Sequence, residues 1–156
     1  MPLISVTRLR VRSWGFVPRF TWQSLKSAWQ AERSAGFLGG KLLRNPNNTF
    51  WTMTAWQDET AMNAFRSAGA HGKVMRKLLH WCDEAAVVHW RQETSDLPSW
   101  QDAHGHMVKE GRQSKVNHPS PAQTSNQIPA PKPSRAEITL KPAPIKLAEK
   151  RDGRLG

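Results

Sequence analysis

The eight residues Thr49-Phe50-Trp51-Thr52-Met53-Thr54-Ala55-Trp56 constrain this chain more than any others. β-Branched and aromatic side chains occupy both parities of the run, which suits a pleated strand and no helix. Both faces of that strand are apolar or Thr, so the sheet it joins needs cover on both sides. The turn signal Asn45-Pro46-Asn47-Asn48 precedes it. Phe37-Leu38-Gly39-Gly40-Lys41-Leu42-Leu43 forms the other arm of a hairpin, its glycines marking a bulge or a close backbone approach.

Residues 4–11 alternate, with Arg8, Arg10 and Arg12 on one side and Thr7, Leu9 and Val11 on the other, and predict a first strand. Pro18 and Thr21 open a helix in which Trp22, Leu25 and Trp29 recur at helical spacing. Asp58 caps the next helix, whose apolar side carries Ala61, Met62 and Phe65. Gly69 interrupts it. A second helix runs from His71 to about His80, with Val74, Met75, Leu78 and Leu79 on the face that His71 heads. Residues 85–90 form a fourth strand, and Pro98-Ser99-Trp100-Gln101-Asp102 starts a short last helix that ends near Gly111.

The order β-α-β-β-α-β predicts an α+β, ferredoxin-like domain with an antiparallel four-stranded sheet, followed by a C-terminal helix. Helices on one face of such a sheet leave its other face uncovered. Packing two sheets face to face removes that cost, so a homodimer is expected.

All eight Trp and all five Phe lie at or before Trp100, and no aromatic residue follows Pro119. The segment 119–156 is rich in Pro, Ser, Gln, Ala and Lys. It lacks the apolar surface to offset its ordering entropy. The expected division is therefore a folded domain over 1–118 and a disordered, Pro-rich basic tail over 119–156. The net charge is +11, spread over both parts without a run of five like charges. That spread, with no zinc-finger spacing, RNP-like strand or basic helix, argues against specific nucleic-acid binding. No stretch is long enough to span a bilayer, and no apolar leader precedes the first strand, so a cytoplasmic location is expected. A single cysteine, Cys82, rules out an internal disulfide and any multi-cysteine metal site. Neither a phosphate-binding glycine loop nor a Gly-x-Ser-x-Gly elbow is present, which argues against nucleotide and serine hydrolysis.

The segments Gly36-Phe37-Leu38-Gly39-Gly40-Lys41-Leu42-Leu43, Thr49 to Trp56 with Gln57-Asp58-Glu59, and Ala68-Gly69-Ala70-His71 resemble the dimeric α+β-barrel superfamily. Within it the chain resembles the antibiotic-biosynthesis-monooxygenase-like branch, nearest a bacterial domain family distantly similar to spheroidene monooxygenase. The resemblance spans about residues 3–118. It implies a small monooxygenase-like protein that takes a hydrophobic, planar small molecule into a pocket between helices and sheet. Matched to the haem-degrading members, His71 falls on the haem-ligand position. Phe65 stands where they carry a catalytic Trp, and Thr7 where they carry an Asn. The resemblance thus implies His71 as axial ligand or general base, with Trp56, Phe65 and Thr7 lining the pocket. The chemistry would come from haem or from the substrate itself.

On the residues alone, His71 reads equally as a helix-start side chain bonded to the backbone. Trp22, Trp29, Trp51, Trp56 and Phe65 read either as an aromatic slot or as core and interface residues. Arg8, Arg10 and Arg12 read as a cationic row or as a solvated strand face. His104-Gly105-His106 reads as surface helix. A non-catalytic dimer that binds a hydrophobic small molecule is the competing expectation.

Overall fold

The computed structural model describes residues 1–132 and 136–143, with the side chains of residues 70–73 outside that description. Strand β1 (Leu3–Val11) leads through a short 3-10 turn into α1 (Val17–Glu32). The hairpin β2 (Phe37–Asn45) and β3 (Thr49–Trp56) follows, then α2 (Glu59–Ser67), α3 (Gly69–Trp81) and β4 (Cys82–Arg91). After β4 come α4 (Trp100–Glu110), β5 (Arg112–Gln113), α5 (Pro121–Thr124) and β6 (Glu137–Leu140). The sheet is antiparallel throughout, in the order β5-β4-β1-β3-β2-β6. Its middle four strands are the ferredoxin-like set expected from the sequence.

Local chemistry sets the joints. Asn47 and Asn48 turn the hairpin with φ of 62° and 58°, a left-handed conformation that Asn tolerates better than most residues. The Asp58 carboxylate accepts from the Ala61 amide at 2.8 Å and starts α2. Gly69, with φ of 54°, separates α2 from α3. The expected bulge in β2 lies between Phe37 and Gly39. Gly40 is the close approach, because a Cβ there would sit 2.7 Å from the Met53 carbonyl oxygen.

Side-chain alternation divides the sheet into two faces. The helix-facing side carries two apolar clusters. Leu3, Phe37 and Trp56 pack with Ala28, Ala31, Met62 and Phe65, while Val11, Cys82 and Ala85 pack with Val17, Phe20, Val74 and Trp81. The opposite side carries Ile4, Val6, Leu43, Trp51, Met53, Ala55, Ala86 and Val88.

The uncovered face expected from the sequence is absent. Ala103 and Met107 of α4 are fully buried on that face, with Trp100, Leu97 and Ile128 beside them. The apolar stripe of α4 (Trp100, Ala103, His104, Met107) gives it a side that fits the sheet. The face that called for a second sheet is closed from within the chain.

Two further expectations change. The sheet has six strands rather than four, because Gln113 and Arg112 pair with Ala86 and Val87, and residues 137–140 pair with residues 40–43. The segment assigned to a disordered tail therefore supplies an edge strand. It also supplies the Ser120 cap of α5 and the Leu140 side chain buried against β2. Sparse apolar residues suffice there because the backbone, not a core, makes the attachment. Of that segment, residues 133–135 and 144–156 lie outside the described residues.

The second change is the facing of α1. Trp22, Leu25 and Trp29 are 62%, 45% and 59% exposed, and the inward stripe is Val17, Phe20, Ala28 and Ala31. Basic side chains cover two of the outward rings: Arg33 lies 3.9 Å from the Trp29 centroid and Lys26 5.8 Å from that of Trp22. Among the described residues no helix is long and apolar enough to cross a membrane.

Candidate functional site

The layer between helices and sheet is not uniformly apolar. Register places His89, Ser5, Thr54 and Gly40 in one row across β4, β1, β3 and β2. Val87, Thr7, Thr52 and Leu42 form the next row. Both rows face the helices and lie between the two apolar clusters. Ser5, Thr7, Thr52, Val87 and His89 keep partial exposure although β1 and β3 are interior strands. Opposite them α1 carries Ser24 and Ser27, between Phe20 of one cluster and Ala28 of the other. Short hydroxyl side chains stand where Leu or Ile would seal a helix–sheet interface, and this polar strip is the candidate gap in an otherwise apolar layer.

Two atoms of this gap lack partners. His89 Nε2 and Ser27 Oγ are buried with no hydrogen bond among the described residues. Burial pushes the His89 imidazole below its ordinary pKa, and the cations Arg66 and Arg112 push the same way against the weaker pull of Glu59. His89 is therefore neutral at pH 7, with a ring nitrogen able to accept a proton. Thr54 Oγ1 accepts from Trp56 Nε1 at 2.9 Å, which leaves its own hydroxyl hydrogen available as a donor.

The site residues expected from the sequence are distributed unevenly about this gap. Thr7 lies at its centre, paired across β1 with Thr52 and Val87. Trp56 and Phe65 are brought together, ring centroids 5.0 Å apart, with Phe37 edge-on to Trp56 at 5.3 Å. Both belong to the adjoining apolar cluster, and Trp56 is fully enclosed, so they wall the gap rather than open into it. His71 falls in the first turn of α3, and its side chain lies outside the described residues. His89 and Ser27 escaped the sequence reading. The available signal was a lone His at the helix-facing parity of β4, and Ser where α1 should have been apolar.

Other candidates separate cleanly. His104 Nε2 meets the Ile128 carbonyl at 2.8 Å, whereas His106 meets Glu110 at 2.8 Å and stacks on Trp90 at 3.8 Å. The two rings hold different partners and make no chelate. Among the described residues no three His, Cys, Asp or Glu side chains converge on a metal position. Burial holds the Cys82 thiol up at about 12, so it stays protonated and behaves as a small apolar side chain.

No protein-family profile matches the sequence. No curated protein matches it either. Solved structures do match. A conserved protein from Methanosarcina mazei Go1 superposes with a TM-score of 0.53 at 12% identity, over 60% of this chain and 94% of that one. The protein PA3566 from Pseudomonas aeruginosa gives 0.53 at 13% identity, over 60% and 95%. An antibiotic biosynthesis monooxygenase gives 0.53 at 9% identity, over 59% and 99%. At these identities the likeness is one of fold. Those chains are covered almost whole while this one is covered by three-fifths, so the shared part is a compact unit to which this chain adds further structure. The fold is that of the antibiotic-biosynthesis-monooxygenase-like proteins, as the sequence resemblance implied.

Proposed function

We propose that this protein is monooxygenase-like and holds a hydrophobic, planar small molecule in the gap between the helices and the sheet. The observation that carries this reading is the paired rows of Ser, Thr and His89 inside an apolar layer, with His89 Nε2 and Ser27 Oγ unpaired. A flat ligand with apolar faces and an oxygen at its edge matches that lining. Its faces meet Val87, Leu42 and the walls of the two apolar clusters, and its edge oxygen meets Nε2, Oγ and the Thr hydroxyls. Neutral His89 would take the proton of an acidic ligand hydroxyl, raising the electron density available to dioxygen. Thr7 would fix the ligand's orientation. When the planar molecule is haem, His71 at the start of α3 would hold its iron, and the haem would supply the redox chemistry.

The test is a pair of titrations on the full chain, one with haemin followed by visible absorption and one with 1-naphthol followed by its fluorescence. The proposal expects saturation near one ligand per chain in at least one arm, lost in Thr52→Trp, which fills the gap. A haem band that shifts in His71→Ala assigns the iron to His71, whereas naphthol binding weakened in His89→Ala assigns a cofactor-free site. Failure of both ligands to bind would sink the proposal. Dioxygen uptake with the bound ligand then separates an enzyme from a binding protein, and no uptake with any bound ligand leaves the binding reading. The homodimer of the sequence reading does not form through the sheet face in this proposal, because α4 occupies it.

A further inference from the structure

On the far side of the sheet from that gap, Arg8 is a buried cation with most of its N–H donors unused among the described residues. Alternation puts Arg8 and Arg10 on the face of Val6 and Ile4, opposite to Thr7. Arg8 is 5% exposed. Its Nη1 donates to Glu84 Oε1 at 2.7 Å. Arg10 Nη1 and Ser120 Oγ donate to Glu84 Oε2 at 3.0 Å and 2.9 Å. The Glu84 carboxylate is thereby fully engaged. Arg8 Nε, by contrast, is buried without a partner, and Nη2 makes no hydrogen bond among the described residues.

Nε and Nη2 form one edge of the guanidinium, with two parallel N–H groups spaced to meet two oxygens of one acid group. Arg8 borders a recess of about 240 Å³ lined also by Arg10, Asn45, Asn47, Thr49, Trp51, Glu84 and Lys132. Its volume suits the acid group of a small molecule. The charges on its wall are Arg8, Arg10 and Lys132 against Glu84. The recess is also built rather than incidental. Asn45 ties the segment after α5 to the hairpin through reciprocal bonds, Nδ2 to the Lys132 carbonyl at 3.0 Å and the Lys132 amide to Oδ1 at 2.8 Å.

We infer that this recess is a binding site for the carboxylate or phosphate group of a small molecule, with the Arg8 guanidinium as its anchor. Arg10 and Lys132 supply the surrounding positive charge. The acid group gives Arg8 a further partner beside Glu84, whose hydrogen bond to Nη1 holds the guanidinium in place. This site is independent of the gap on the helix side, since the whole thickness of the sheet separates them.

Titration of the full chain with inorganic phosphate, and separately with benzoate, tests the assignment by amide NMR at constant ionic strength, with chloride as reference. The expected result is saturable shifts in the amides of residues 8–10, Asn45, Asn47, Asn48, Thr49, Ala130 and Lys132 with one of the two probes, and the responding probe identifies the acid class. Arg10→Gln and Lys132→Gln, both at partly or fully exposed positions, should each weaken that binding about tenfold, the loss of one hydrogen bond to a charged group. Arg33→Gln, just past the end of α1, should leave it unchanged. The assignment is overturned if neither probe shifts those amides beyond the chloride reference, or if binding is equal in the wild type and both site variants.

Discussion

Replacing Glu84 with Ala leaves the Arg8 guanidinium, whose side chain is 6% exposed, without its carboxylate. Two unit charges at about 4 Å attract by about 4 kcal/mol at an effective dielectric of 20. The desolvation of Glu84 offsets much of that attraction in the intact protein. Once the carboxylate is gone the offset is recovered but the buried cation stays, and removal of one partner from such a pair costs about 3–5 kcal/mol. Arg10 adds little, because its side chain is 37% exposed and solvent can replace the lost contact. Against a total stability of about 5–15 kcal/mol, the loss is about a fifth or more. Urea unfolding at pH 7, followed by far-ultraviolet circular dichroism, should show the midpoint falling by about 2 M at unchanged slope. The double variant Arg8→Met/Glu84→Leu removes both charges while keeping the volume, and should recover most of the loss. A midpoint drop below about 0.5 M for Glu84→Ala would refute the reasoning. A double variant as unstable as the single one would assign the cost to packing rather than to a stranded charge.

Acidification should weaken the fold in two stages. Burial favours neutral His89 in the folded state, so the unfolded chain takes up that proton first, and stability is lost as pH falls below the ordinary value of 6.5. Burial alone would raise the Glu84 pKa, but hydrogen bonds from Arg8, Ser120 and Arg10 outweigh it. Its contribution is therefore present above the ordinary value of 4.5 and is lost as pH falls through the lower, folded value. His89→Phe should flatten only the first stage in a series of thermal melts across pH. Met107→Ala removes a fully buried side chain from under α4 and should cost about 2–5 kcal/mol in chemical unfolding. Trp22→Ala and Trp29→Ala should each change stability by less than about 1 kcal/mol in the same assay, a value that a core-facing orientation of that stripe could not give.

The sequence spoke plainly where local chemistry decides. The strand at residues 49–56, the Asn turn before it, the Asp58 cap and the break at Gly69 all follow from the residues at those positions. The facing of α1 did not, because two stripes compete on that helix. Trp22, Leu25 and Trp29 are larger, but Val17, Phe20, Ala28 and Ala31 are the α1 side chains that the two apolar clusters bury. Small residues next to a polar sheet surface leave only a weak signal in any periodicity. The cover supplied by α4 was hidden for another reason. Its stripe is visible in the sequence, but which of two sheet faces it covers is a long-range choice. The sequence leaves Arg8 between a cationic row and a solvated strand face because alternation fixes a face and says nothing of what lies on it. Only the arrival of Glu84, Ser120 and residues 129–132 makes that face an interior.

The strand order β5-β4-β1-β3-β2-β6 has a bearing on synthesis. The oldest strand lies inside the sheet, and the two made last close its two borders. Until residues 112–113 and 137–140 have emerged, both β4 and β2 present unpaired amides and carbonyls to any passing strand. A nascent or clipped chain that ends before them lacks Val116 and Leu140 from its core and is open at both sides, the condition under which sheets join edge to edge. The few residues of β5 and β6 thus act as late seals, and a protease that removes the second of them would turn a solitary sheet into an adhesive one.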